Sequence, residues 1–312
     1  MDPVYYPAPS RSVAHAKSVE FACVLNALLL RYIRSPEHPG KYRVVRWLGR
    51  HVVPPDGLVA EVDPRVQLSL HPRDWVEYSL IRDGYYEPLT LTFLSRNLRP
   101  SENAVLAGVN NGLHVIVAAR AVGEKGRVIG VDPQPGAVLR TRRNINLNRV
   151  AGPVRLLAAA LGAQAAFTHM PWADSGNQGA ASLFDSGPGF EVPLVTLASV
   201  LDALCSGTVR LMLLDVQGYE GPALQGLKDH RPELLVVEDS DEYLVRAGST
   251  RAHLYAQIRE MGYSLHDVFG NAIGESGPMP AECNVISVYR GVDVNWCPGP
   301  GTTTDTRQNA GT

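Results

Sequence analysis

Apolar positions near the start of the chain recur at helical spacing. Val13, Phe21, Val24, Leu25, Leu28, Leu29 and Ile33 fall on one broad face, which predicts a helix over 13–34 closed by Ser35-Pro36. A second short helix is expected at 42–51. Residues 58–70 then alternate apolar and polar side chains around Asp63-Pro64, the pattern of a hairpin. The stretch 73–98 returns to helical periodicity in two pieces, with Gly84 between them.

From residue 104 the pattern changes to regular strand–helix alternation. Short apolar strands are predicted at 104–109, 127–132, 154–159, 210–216 and 233–238, with helices at 112–122, 135–148, 197–204, 219–228 and 250–261. The run 210–216 is strongly apolar, as expected of a strand buried on both faces. Segments 263–268 and 283–289 form a final β-pair across a Gly/Pro-rich loop. Residues 165–191, rich in Gly, Ser and Asn, read as irregular with short extra strands. The prediction is a Rossmann-like α/β fold, a mostly parallel seven-stranded sheet with an antiparallel edge pair. An α+β extension over 1–99 serves as a cap, brace or dimer element. The ligand-binding domain spans 100–291, and 292–312, poor in apolar residues, is expected to be disordered.

Composition narrows the partners. The 312 residues are 45% apolar and 19% charged with a net charge of −2, ordinary for a globular chain. Scattered arginines give no basic stripe, so nucleic acid is not an expected partner. No apolar run approaches the ~20 residues of a membrane span, and MDPVYYPAPSRS lacks a signal-peptide pattern. Cys23, Cys205, Cys283 and Cys297 are too scattered for a disulfide scaffold or a metal site. These features predict a cytoplasmic protein with a small-molecule partner. The apolar N-terminal helix leaves a homodimer open.

Three motifs carry chemistry. Gly108-Val109-Asn110-Asn111-Gly112 directly follows a predicted strand. Such a loop brings backbone N–H groups and a helix N-terminus against a ligand, although a bare βα turn uses the same residues. Asp132 ends the next strand, 20 residues after Gly112. A carboxylate there can take both ribose hydroxyls of an adenosine-containing cofactor, or simply cap a helix. The loop lacks the full G-x-G-x-x-G pattern, and Asp132-Pro133-Gln134-Pro135 is an unusual continuation for a dinucleotide site. The third motif, Asp215-Val216-Gln217-Gly218-Tyr219-Glu220, ends an apolar strand and so puts Asp215 at the ligand crevice. Glu220 starts the next helix, where a carboxylate also suits the helix dipole. Glu238 and Asp239 end the neighbouring strand without metal-site spacing, and no metal is expected. His114, His169 and His266 read as structural or surface residues more readily than as catalysts, with His169 in the segment where a substrate lid would lie.

In their order along the chain these motifs resemble the FkbM family of methyltransferases, which depend on S-adenosylmethionine (SAM). Gly84-Tyr85-Tyr86-Glu87-Pro88 is similar to the family's G-x-Y-E-P, residues 108–112 to G-A-N-x-G, and residues 131–135 to E-P-N-P with Asp for Glu. Asn144 and Asn148 match helix asparagines, and Asn177, Gly179 and Ser182 match N-x-G-x-x-S. Residues 192–197 match V-P-x-x-T-L, and Asp215, Gly218 and Glu220 match D-V-E-G-x-E. The resemblance implies a class I methyltransferase fold, SAM as cofactor, and O-methylation of a hydroxyl on a polyketide, sugar or related natural product. The expected cofactor residues are Gly108, Asn110, Gly112, Asp132, Pro133, Gln134, Ala159 and Asp215. The base that an unactivated alcohol needs is expected at Asp215, with His169 second and Glu220 third. Three positions depart from the family: Leu106 for the Asp that helps hold the amino acid end of SAM, Leu213 for a common Lys, and Gln217 for a Glu. Opposite charges missing together at 213 and 217 point to a lost ion pair. The departures keep open a SAM-fold enzyme with N-methylation or non-methyl chemistry, and a non-catalytic SAM-domain protein.

Overall fold

In the computed structural model, the described residues are 24–172, 176–177, 179, 181–274 and 284–299. The helix α1 (24–33) ends beside Lys41, whose fully buried ammonium donates to the carbonyls of Ile33 at 2.7 Å and Ser35 at 2.6 Å. A cation there satisfies carbonyls that a helix end leaves open. Then come α2 (Lys41–His51) and the hairpin of β1 (Leu58–Val62) and β2 (Val66–Leu70). The helices α3 (Trp75–Asp83) and α4 (Pro88–Asn97) follow, broken at Gly84. Residues 13–23, 275–283 and 300–312 lie outside the described residues.

The alternating region holds β3 (Asn103–Ala107), α5 (Leu113–Val122), β4 (Arg127–Asp132), α6 (Pro135–Leu147) and β5 (Val154–Ala158). A small three-stranded sheet of β6 (Ala160–Leu161), β7 (Ala166–Pro171) and β8 (Gly189–Val195) is inserted next. The rest is α7 (Leu197–Leu204), β9 (Val209–Leu214), α8 (Glu220–Gln225), β10 (Leu234–Glu238), α9 (Asp241–Arg246), α10 (Arg251–Glu260), β11 (Tyr263–His266) and β12 (Asn284–Tyr289). The main sheet runs β11-β12-β10-β9-β3-β4-β5, parallel except that β12 is antiparallel to both neighbours. Seven strands with one reversed near the edge, and a switch in order between β3 and β9, make this a Rossmann-like class I methyltransferase fold.

Strand alternation splits the core in two. Ala104, Leu106, Leu211, Leu213 and Val236 share one cluster with α4, α5 and the N-terminal extension, Leu29 and Ile33 of α1 included. Val105, Ala107, Met212, Leu214 and Val237 share the other with α7, α8 and α10. Outside these cores Val24, Leu28, Val44 and Trp47 remain exposed. Asn144 of α6 and Asn148, its C-cap, fix the hairpin to that helix. Asn144 accepts from Ser69 N–H at 2.8 Å and donates to Asn111 O at 2.8 Å. Asn148 accepts from Gln67 N–H at 3.1 Å and donates to Gln67 O at 2.7 Å. They meet the backbone of β2 much as a neighbouring strand would.

The chain departs from expectation after 291, where residues 292–299 are packed rather than disordered. Cys297 is buried, and the Trp296 ring lies 6.1 Å from Phe93 and 5.0 Å from His266. Asn97, fully buried, brackets Asn295 by donating to its carbonyl at 3.0 Å and accepting from its N–H at 2.8 Å. Low average apolar content concealed these anchors. No described helix is long and apolar enough to cross a membrane.

Candidate active site

Parallel strands place the ends of β3, β4 and β9 at one edge of the sheet, and the reversal of strand order between β3 and β9 opens a crevice there. Gly108 extends β3 by donating to Val131 O at 2.9 Å, and Asp215 extends β9 by donating to Ala107 O at 3.1 Å. The two chains approach so closely at this point that a Cβ on Gly108, whose φ is 80°, would collide with the Asp215 carbonyl. Asn110 follows, also at positive φ, and Asn111 Oδ1 accepts from Leu113 N–H at 3.1 Å to start α5.

Asp132 organises this loop from below. Its Oδ2 accepts from Val109 N–H at 3.1 Å and Asn110 N–H at 3.2 Å, and its Oδ1 from Gln134 N–H at 2.8 Å. Burial pushes its carboxyl up to about 6, against the pull of these N–H groups and of Arg140. A carboxylate has about four acceptor positions, so with three filled Asp132 keeps one for a ligand hydroxyl.

The polar wall of the cleft above the loop includes Gly108, Asn110, Asp132, Pro133, Gln134 and Asp215, all expected from the sequence. The apolar wall is formed by Leu161, Met170, Leu183 and Val216 among others; Met170 and Leu183 fall in the segment expected to overhang the crevice, whereas Leu161 and Val216 were not singled out. Those residues come from the inserted sheet, the lid segment and the turn after β9, where no periodicity marks them. Ser182 Oγ donates to Gln217 O at 2.7 Å and ties that segment down over the cleft.

Four expected site residues are placed elsewhere. Ala159 is buried behind the wall, donating its N–H to Asp132 O at 3.1 Å. The chain leaves the main sheet there, so Ala160 and Leu161 reach the cleft instead. Gly112 caps α5 and packs on α6, where a Cβ would lie 3.0 Å from Thr141 Cγ2. His169 is exposed on β7 with Nε2 3.0 Å from Gly187 O, and its neighbour Met170 faces the cleft, so alternation turns the imidazole away. Glu220 is buried below the turn after β9. Its Oε1 accepts from Val216 N–H at 3.0 Å and Gly218 N–H at 3.2 Å, and burial raises it to about 7. It shapes the loop and does not line the cleft.

Asp215 does line the cleft, and it is not alone. Gln217, left-handed at φ 55°, donates one amide nitrogen to Asp215 Oδ1 at 2.6 Å and to Glu238 Oε2 at 3.2 Å. The Gln217 amide thus bridges the two carboxyls. Burial and then mutual repulsion push Glu238 strongly up; burial and the charge of Glu87 raise Asp215. Both carboxyls are thus held above the ordinary carboxylate range, and the pair retains a proton more readily than two free carboxyls would. Glu87 itself lies 3.4 Å from His114 Nε2. Among the described residues no group of three His, Cys, Asp or Glu could hold a metal ion.

The register changes the meaning of the departures. Leu106 pairs directly with Leu213 across β3 and β9, and both are buried in the same core cluster. The charges absent at 106 and 213 are thus the adjacent pair, while Gln217 sits in a separate carboxyl cluster. Exchange of a buried ion pair for two leucines is close to neutral in stability. Neither leucine lines the cleft.

The site fits SAM. Gly108 gives backbone access, Asp132 has a free acceptor position, and among the described residues the buried oxygens Gln217 Oε1 and Asn177 Oδ1 have no hydrogen-bond partner. An ammonium group supplies the donors those oxygens lack.

The Methyltransferase FkbM domain family matches residues 107–265. No curated protein matches the chain. Solved structures it is similar to include a SAM-dependent O-methyltransferase from Thermotoga maritima, at 12% identity over 66% of each chain with a TM-score of 0.38. Two others are an O-methyltransferase from Bacillus cereus in complex with SAH (13%, 81% of this chain and 92% of that one, 0.37) and cofactor-bound Rv0187 from MTB (13%, 90% and 93%, 0.37). At those scores the strand order and the cleft carry the weight. With the family match spanning half its length and Gly108, Asn110, Asp132 and Asp215 of the matched motifs gathered at one cleft, the chain belongs to the FkbM family of methyltransferases, and its cofactor is SAM.

Proposed function

We propose that this methyltransferase acts on oxygen, transferring the methyl group to a hydroxyl of a small natural product such as a polyketide or sugar. The observation that carries this reading is Asp215, a carboxyl on the cleft wall that the Gln217 amide ties to its neighbour Glu238. Bound SAM supplies an activated methyl group, so the protein's tasks are orientation and removal of one proton. Asp132 and the loop at 108–110 orient the cofactor. The apolar residues from β6 and the lid segment exclude water. Asp215 accepts the hydroxyl proton as oxygen attacks; burial raises its basicity toward what an alcohol requires. Gln217 keeps that carboxylate facing the cleft.

The test is incubation with SAM and a panel of hydroxylated and amino-bearing acceptors, read by mass spectrometry and NMR. The reading expects a single added methyl on oxygen, abolished in Asp215→Asn while S-adenosylhomocysteine (SAH) still binds. Methylation on nitrogen, or full turnover by Asp215→Asn, contradicts it. Leu106 favours a second reading, a SAM-fold protein with other chemistry or none, and SAH binding without methylation of any acceptor would support that one.

A further inference from the structure

A second cavity opens on a different face of α6 from the cofactor cleft. Its wall carries His71 and Arg73 from the turn between β2 and α3, together with Arg140 and Arg143, one helical turn apart. Arg73 is half-buried, its stem packed near Gly49. Among the described residues its guanidinium makes no hydrogen bond and no ion pair. The nearby acids are committed elsewhere. Asp74 accepts Glu77 N–H at 3.0 Å to cap α3. Glu77 accepts His71 N–H and lies 3.5 Å from Arg140 Nε. Asp56 pairs with Arg143 at the exposed rim, where such a contact is weak and displaceable. Burial raises Glu77 to about 7, so at neutral pH it cancels only part of the positive charge. His71 is held below its ordinary value by burial and by all three arginines, as a positive cavity requires.

An anionic ligand would supply the acceptors that the Arg73 guanidinium lacks among the described residues. We propose that this cavity binds an anionic oxygen group, a phosphate or carboxylate, on a ligand other than the cofactor. Arginine suits that role because its planar fork meets two oxygens at once. The site has a route to the cofactor cleft. Trp75, two residues after Arg73, donates its N–H to Gly176 O at 2.8 Å, and the neighbouring positions Gly179, Ala181 and Leu183 line the cleft. None of this depends on the identity of the methyl acceptor.

The test uses the full chain saturated with SAH, titrated calorimetrically at fixed ionic strength with inorganic phosphate and, separately, with phenyl phosphate. The proposal expects saturable binding that weakens at least about tenfold in Arg73→Met and in Arg143→Met, the size of one charge-assisted hydrogen bond. SAH affinity in both variants should match the wild type, which reports that they are folded. Equal affinity for the two probes assigns a free inorganic anion; tighter phenyl phosphate assigns the anionic arm of an organic ligand. Absence of saturable binding by either probe, or binding that both substitutions leave unchanged, overturns the proposal.

Discussion

Alanine at Gly108 imposes two costs that a matched control separates. Gly108 and Gly84 have nearly the same backbone, φ 80° and 78°, and a side chain in that left-handed region costs about 1–2 kcal/mol. At Gly84 a Cβ meets nothing within 4 Å, so Gly84→Ala should cost that strain alone. At Gly108 the same Cβ lies 3.0 Å from Asp215 C and closer still to its oxygen. No rotamer relieves a clash with backbone, so β9 must move from β3. That movement stretches the bond from Asp215 N–H to Ala107 O, worth about 1 kcal/mol net. Overpacking of this kind adds about 1–3 kcal/mol. Gly108→Ala is therefore expected to lose about 3–6 kcal/mol against about 1–2 for Gly84→Ala. Urea unfolding at pH 7, with and without SAH, reads both numbers. The stabilisation by SAH should vanish in Gly108→Ala and persist in Gly84→Ala. Equal losses, within about 0.5 kcal/mol, would refute the close approach of the two strand ends.

Other residues give separate tests. Glu220→Ala leaves the N–H groups of Val216 and Gly218 without their acceptor and should cost about 2–3 kcal/mol in urea unfolding, whereas Glu220→Gln keeps an oxygen there and should cost less than half of that. His169→Ala should leave SAH affinity and stability unchanged within about 0.5 kcal/mol, since the ring is exposed and faces away from the cleft. Stability should fall as pH rises. Asp132 is raised to about 6 and Glu77 and Glu220 to about 7, so between their ordinary values and pH 7 the folded protein holds protons that the unfolded chain has released. Their contribution is complete below the ordinary carboxylate range and is lost through about pH 7, with a slope on the order of 1 kcal/mol per pH unit for each proton retained. An unfolding midpoint that climbs from pH 5.5 to 8 would contradict this.

The sheet was legible because period-2 burial and apolar runs such as 210–216 leave direct marks in the sequence. Gly108, Asn110, Asp132 and Asp215 were legible for a related reason: their chemistry requires particular residue types at strand ends. What stayed hidden depends on contacts between distant segments. Gln217 joins Asp215 to Glu238 and anchors Ser182, a role that no local pattern encodes. His169 and Met170 are adjacent in sequence, and only the register of β7 decides which one faces the cleft. The partnership of Leu106 with Leu213 appears only when β3 and β9 are set side by side. Trp296 and Cys297 were masked by their polar neighbours, although two well-placed apolar groups suffice to hold a short segment.

The central claim is that SAM lies between the ends of β3, β4 and β9. A crystal structure of the full chain with SAH tests it most directly. The account predicts a ribose hydroxyl on the Asp132 carboxylate, the homocysteine end at Gly108 and Asn110 with its ammonium on Gln217 Oε1 or Asn177 Oδ1, and the purine against Leu161 and Met170. SAH bound elsewhere, or a ribose that makes no contact with Asp132, would contradict it.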